Sequence, residues 1–329
     1  MEPMQPMRQH CAGRHQIDLP ESFRIEHAGS SATFYFGHGA DFETVEFQVV
    51  GEGLEAGEFA QLVGVRSDEI AAETNEKTAG PMLLTHEDLG DDTVLLRYHR
   101  NEISDRSHVH EVHRLVDGAH VFLRADSYQG VMAPVEARLK ALASRVGAVP
   151  QSHEGGIGGF CIGPVAIEAG NDYEVATIRY RDARLRHRDV VVEVELGTFS
   201  RDDAEPRLVR RAEGNFLGLG FRPRALRKGA ARLAGMSAEE WLGRERIEKR
   251  TEHVFAIESY PDAPGLASPT IQVTLGTGGT VPPRSVPSLP PYRRPAATAA
   301  GGGEPVTASL TDDEAVALWD AVTRSLQPR

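Results

Sequence analysis

Cysteine is scarce in this chain: Cys11 and Cys161 are the only two among 329 residues. Two thiols far apart, without C-x-x-C spacing, are too few ligands for a structural zinc site. Long apolar runs are absent as well. Nothing approaches the roughly 18 consecutive apolar residues of a membrane-crossing helix. The opening MEPMQPMRQH has neither the basic start nor the apolar stretch of a secretory signal. The expectation is a soluble chain without an export signal or an integral membrane segment. Positive charge is also in deficit, with 36 Lys and Arg against 48 Asp and Glu, a net −12. That field repels polyanions, which disfavours nucleic acid as a partner.

The deficit is concentrated in the first half. Residues 1–150 hold 13 basic and 24 acidic side chains, a balance of −11, and the rest hold 23 and 24, a balance of −1. If the protein binds another protein, a basic partner surface against the first half is expected. The length points to two domains of about 150 residues each.

What is present is a repeated order of elements. CAGRHQIDLP at 11–20 and CIGPVAIEAG at 161–170 share one frame: Cys11, Gly13, Ile17, Asp18 against Cys161, Gly163, Ile167, Glu168. Each frame reads as one strand, with Gly13 permitting close backbone approach and Pro20 ending the strand. The first half continues with strands over 32–36 and 45–50. A helix from about 56 to 74 follows on Phe59, Val63, Arg66 and Ile70. Strands over 93–99, 108–116 and 119–125 come next, then a closing helix on Val135, Leu139, Leu142 and Val146, ended by Gly147 and Pro150.

The linker QSHEGGIGGF follows, and Gly155, Gly156, Gly158 and Gly159 read as a flexible hinge between domains 1–150 and 151–329. The second half repeats the scheme with strands over 161–168, 174–180 and 189–196, helical stretches, and strands over 252–259 and 270–275. A helix capped by Thr311 with Glu314 closes it, carrying Ala315, Trp319, Val322 and Leu326. Residues 276–305, rich in Gly, Pro, Ser and Ala, read as an exposed, mostly disordered loop with Tyr292, Arg293 and Arg294 as a minor contact point. The fold class expected is α+β: two similar α/β domains, each a mostly antiparallel sheet with helices packed against it.

Stretches that resemble catalytic motifs do not satisfy them. SHVHEVHRLVDGAHVFLR groups His108, His110, His113 and His120 around Glu111, but its H-E-x-H spacing is one residue short of the zinc-protease motif. Asp117-Gly118 is a two-residue hairpin turn that pairs Val116 with Ala119, Leu115 with His120 and His113 with Phe122. His108 and His110 then share one face and His113 and His120 the other, so the four do not converge on one ion and read as surface and sheet-edge histidines. GMSAE at 235–239 lacks the second glycine of a nucleophile elbow, and Ser237 reads as a helix N-cap with Glu240 completing a capping box, opening a helix over 236–250. The basic stretches at 179–188 and 222–235 lack interleaved aromatics and read as solvated faces. No catalytic, cofactor or metal residues are assigned. For the cysteines, buried free thiols and a single Cys11–Cys161 disulfide both remain open.

CAGRHQIDLP resembles the opening signature, C-x-G-R-x-x-I-D-x-P, of immunity proteins that neutralise type VI secretion lipase effectors of the fourth class. GFCIG at 159–163, LRKGAARLAGMSAEEW at 226–241, and the run from HVFAIESYPDAP to SPTIQVTLGTG look like the C-terminal domain of that family. The resemblance implies a non-enzymatic protein of two α/β domains that grips a cognate phospholipase effector, blocks substrate access and works in the periplasm. No effector-contact residue carries over. Without a signal peptide here a cytoplasmic location stays open, and Ala238 stands where the family pattern has glycine. The alternatives are a hydrolase with a dispersed active site and a periplasmic binding or scaffold protein.

Overall fold

A computed structural model describes residues 5–38, 42–149, 159–200, 205–219, 224–247, 249–281 and 303–329. The chain forms two compact units, Ser31–Glu174 and a second composed of Met1–Ser30 with Val175–Arg329. This division differs from a cut at 150/151. The QSHEGGIGGF linker falls inside Ser31–Glu174 and does not join one unit to the other. Gly155, Gly156 and Gly158 lie outside the described residues. Gly159 is set by packing, since a Cβ there would stand 2.8 Å from the Ile167 carbonyl oxygen.

Met1–Ser30 group with the C-terminal residues because backbone and side-chain bonds tie them there. His15 and Gln16 pair with Pro328 and Gln327, the Asp18 amide donates to Ser325 Oγ at 2.8 Å, and the Tyr180 hydroxyl donates to the Cys11 carbonyl.

Each cysteine frame is a hairpin, where one strand was expected. Met7–Gly13 pairs with His15–Pro20, setting Cys11 opposite Gln16 and His10 opposite Ile17. Phe160–Ile162 pairs with Val165–Ile167, setting Cys161 opposite Ala166 and Phe160 opposite Ile167. The shared glycine opens the turn in both, at φ 65° for Gly13 and 57° for Gly163. A two-residue hairpin turn needs such a left-handed position, and glycine fills it without steric cost.

Two sets of six strands with one topology follow. In Ser31–Glu174 the strands Ser31–Phe36, Glu43–Gly51, Leu83–Gly90, Thr93–His99, Ser107–Val116 and Ala119–Tyr128 form an antiparallel sheet ordered first, second, sixth, fifth, fourth, third. Helix α1, Ala56–Ala72, follows the second strand, and α2, Met132–Ala143, follows the sixth. In the other unit Tyr173–Asp182, Val191–Gly197, Arg224–Leu233, Met236–Ile247, Arg250–Ser259 and Thr270–Thr277 take the same order. Here α3, Leu208–Leu219, and α4, Asp312–Ser325, occupy the corresponding places. The repeat is thus one of topology, and the fold is α+β.

Period-two burial fixes both sheets: Val192, Val194 and Leu196 are buried on one strand and Ile271, Val273 and Leu275 on its partner. Burying each such side chain stabilises by roughly 1.5–3 kcal/mol. Helix α4 starts where expected. Thr311 Oγ1 accepts the Glu314 amide while the Glu314 carboxylate accepts the Thr311 amide, and Trp319 is buried edge-on against Phe255.

Two expectations fail locally. Where a helix over 236–250 was expected, residues 224–247 form a hairpin turning at Ala234 and Gly235, both at positive φ. Ser237 is therefore an exposed strand residue and caps nothing. Its strand shows why: every residue from Ala238 to Ile247 finds a cross-strand partner on Arg250–Ser259, which outweighs the helical propensity of its Ala, Glu and Leu. Helix α2 ends at Ala143, and Val146 instead enters a strand paired with Ile167. Of the 276–305 segment, 282–302, with Tyr292, Arg293 and Arg294, lie outside the described residues. Its ends pair, Gly279–Val281 against Glu304–Val306.

Candidate functional site

The histidine-rich hairpin of Ser31–Glu174 has the register the Asp117-Gly118 turn dictates, Val116 opposite Ala119 and His113 opposite Phe122. Its burial differs from expectation. His108, His110, His113 and His120 are all at most 5 % exposed, so none is a surface histidine. The reason is that helices cover both faces. Residues of one parity on Ser107–Val116 meet α2: His110 Nδ1 is 3.7 Å from Glu136, and Arg114 donates to the Ala143 carbonyl. Residues of the other parity meet α1.

Under α1 lies a buried polar cluster. Arg66 forks onto Glu111, Nε to Oε2 at 3.1 Å and Nη2 to Oε1 at 2.8 Å. The Tyr98 hydroxyl donates to the same Oε1 at 2.5 Å. His113 Nε2 lies 3.5 Å from Glu111 Oε2, and His113 Nδ1 is 3.0 Å from His120 Nε2. The Phe59 ring meets His120 edge-on at 5.1 Å. Arg66 was legible: it sits on the apolar stripe Phe59, Val63, Ile70, and an arginine on a buried stripe requires a buried acid. Glu111, 45 residues away, carries no such signal.

The electrostatics follow from this packing. Burial alone would raise the Glu111 carboxyl, but hydrogen bonds from His113 and Arg66 overcome that and hold it at about 2. Burial and then the neighbouring His113 push His120 down to about 3. Burial pushes His110 to about 4 against the pull of Glu136. Burial first, then the Glu111 carboxylate, raises the Tyr98 hydroxyl. With its charges paired and helices on both faces, the cluster anchors α1 and offers no path to a substrate. Among the described residues no group of three or more His, Cys, Asp or Glu could hold a metal ion.

The other unit contains a hydroxyl, imidazole and carboxylate in sequence: Thr277 Oγ1 lies 3.2 Å from His253 Nδ1, and His253 Nε2 lies 2.9 Å from Asp312 Oδ1. Thr277 is 2 % exposed and His253 1 %, so this hydroxyl cannot meet a substrate. The relay pins the first turn of α4 to the sheet. The basic stretches are balanced by acids, Arg181 by Glu26, Arg184 by Asp182, and Arg227 by Glu240 and Asp320. Both cysteines are disulfide-bonded.

Clefts open on the surface of each unit, one of about 660 Å³ beside Pro206, Arg207 and Glu239 and one at an end of the Ser31–Glu174 sheet. The second, of about 680 Å³, opens between Phe42, Arg100, Asp126, Tyr128 and Val131. Tyr128 is 60 % exposed, and Ile103, in the adjoining 101–106 loop, is 74 % exposed.

Residues 157–329 match the family described as the Tle cognate immunity protein 4 C-terminal domain. The chain belongs to this family. No curated protein matches it. Solved structures share its fold over nearly their whole length. The apo immunity protein TplEi of the type VI secretion system of Pseudomonas aeruginosa aligns at TM-score 0.66 and 20 % identity, covering 99 % of this chain and 98 % of that one. A chain of the Tle4–Tli4 complex aligns at 0.65 and 22 %, covering 98 % and 97 %. TplEi complexed with "L" peptide aligns at 0.62 and 20 %, covering 99 % of each chain.

Proposed function

We propose that this Tle cognate immunity family member binds a cognate type VI secreted phospholipase effector and inhibits it by blocking substrate access, so protecting the producing cell and its kin. The observation that carries the reading is the family match over 157–329, joined to a shared fold over 97 % or more of two kinds of immunity-related chain, one of them in a Tle4–Tli4 complex. The protein acts by contact, without chemistry of its own, in keeping with a buried Thr277 and a fully paired Glu111 cluster. The periplasm is the compartment proposed. Bonded cysteines persist in an oxidising environment, both cysteines here are bonded, and no helix among the described residues is long and apolar enough to cross a membrane. The test mixes the purified protein with a type VI phospholipase effector of the Tle4 kind from the same organism. Co-elution on size exclusion and loss of phospholipase activity at equimolar ratio are expected; a fully active lipase in the presence of excess protein refutes the reading.

A further inference from the structure

We infer that the 101–106 loop of the Ser31–Glu174 unit is a preorganised docking knob whose Ile103 inserts into an apolar, basic-rimmed socket on the protein partner; this rests on the effector-binding reading above.

An exposed isoleucine alone carries little information, since folded proteins expose many apolar atoms. What distinguishes Ile103 is how the loop that displays it is held. Asn75, 0 % exposed, donates through Nδ2 to the Asn101 carbonyl at 3.1 Å and to the Ser104 carbonyl at 2.9 Å. Its Oδ1 accepts from the Thr78 amide at 3.0 Å. The Glu76 amide donates to the Glu102 carbonyl at 2.8 Å, so the carbonyls before, beside and after Ile103 are all fixed. The loop base is fixed too, by Arg100 N to Ser107 O at 2.9 Å and Gln129 N to Arg106 O at 2.8 Å. A buried asparagine thus spends its hydrogen bonds immobilising a loop whose most prominent side chain, 74 % exposed, touches little of its own protein. Rigid presentation of an apolar anchor lowers the ordering cost of association, which is how interface hot spots gain affinity.

The surroundings suit a protein partner. Gln129 adjoins Tyr128, 60 % exposed, and Val131, 48 % exposed, lies beyond it. Tyr128 accepts from Arg100 at 3.3 Å at the mouth of the 680 Å³ cleft. Tyrosine and arginine beside an aliphatic anchor are the residue types that dominate interface energetics. Charge specifies the rim. Ile103 is flanked by exposed Glu102 and Asp105, with Arg106 as the base of the loop. The whole unit 31–174 holds 24 Asp and Glu against 10 Lys and Arg, a balance of −14. The complementary surface is basic.

The test measures binding to the same purified phospholipase effector, using the whole 329-residue chain. Ile103→Ala is expected to weaken the complex about 30-fold, the fold-change of a hot-spot truncation, and Ile103→Asp at least 100-fold, with thermal unfolding unchanged in both because the side chain is exposed. Asn75→Ala, away from the contact, is expected to weaken binding through a loosened loop. Raising salt from about 50 to 500 mM is expected to slow association of the wild type several-fold. If the wild type binds and inhibits the lipase while Ile103→Asp binds equally well, the docking inference is overturned and the immunity reading stands. If the wild type itself does not bind, both fall.

Discussion

Acidification should loosen this protein through its buried histidines, and His120 gives the cleanest test. Its folded value is about 3 against an ordinary 6.5, so between those limits the unfolded chain binds a proton the folded chain refuses. The stability it contributes is therefore fully present above about pH 6.5 and is lost as pH falls toward about 3. One proton corresponds to about 1.4 kcal/mol per pH unit, so moving from pH 6.5 to 5 costs about 2 kcal/mol from His120 and a similar amount from His110, held at about 4. Together, at about 4 kcal/mol, these approach the whole of the smaller stabilities typical of folded proteins, about 5 kcal/mol. Glu111 acts in a different window, because a carboxyl held at about 2 contributes stability that is present above its ordinary 4.5 and is lost only below that. The groups facing His120 are His113, with Glu111, Arg66 and Tyr98 beyond it. His120→Gln removes the titration while keeping a polar group toward His113. In urea unfolding followed by far-UV circular dichroism at pH 7, 6 and 5, its stability should fall with acid less steeply than the wild type, by about 1.4 kcal/mol per unit. Equal slopes in the two proteins, or an NMR titration of His120 near 6.5, would refute the argument.

Two further outcomes are expected. Ser237→Ala should change stability by less than about 0.5 kcal/mol in the same unfolding assay, because an exposed strand residue loses no cap; a loss of about 1 kcal/mol would restore the helix reading. Thiol titration of the unfolded, unreduced protein should find no reactive thiol, and two per chain would mean that Cys11 and Cys161 are free.

Features governed by local chemistry were legible in the sequence. Asp117-Gly118 fixed a register that holds over ten residue pairs, Thr311 with Glu314 marked the start of α4, and the matching glycines of the cysteine frames marked equivalent turns. What was hidden is tertiary. The 224–247 segment is rich in Ala, Arg, Glu and Leu, and only pairing with Arg250–Ser259 makes half of it a strand. The histidines looked exposed because a lone hairpin has an open face, whereas here α1 and α2 close both faces. The Asn75 clamp on the Ile103 loop joins residues 26 and 29 positions apart through backbone carbonyls, which leave no trace in side-chain patterns.

The pairing of Gln16 with Gln327, and of the Arg329 amide with the Arg14 carbonyl, has a temporal meaning. During synthesis the first hairpin leaves the ribosome long before the residues that complete it exist. The Ser31–Glu174 sheet and its helices have all their strands once residue 174 is made, but the unit holding residues 1–30 closes only after residues 327–329 have been added. The acidic unit can therefore assemble co-translationally, while closure of the other waits for residues more than 300 positions further along the chain.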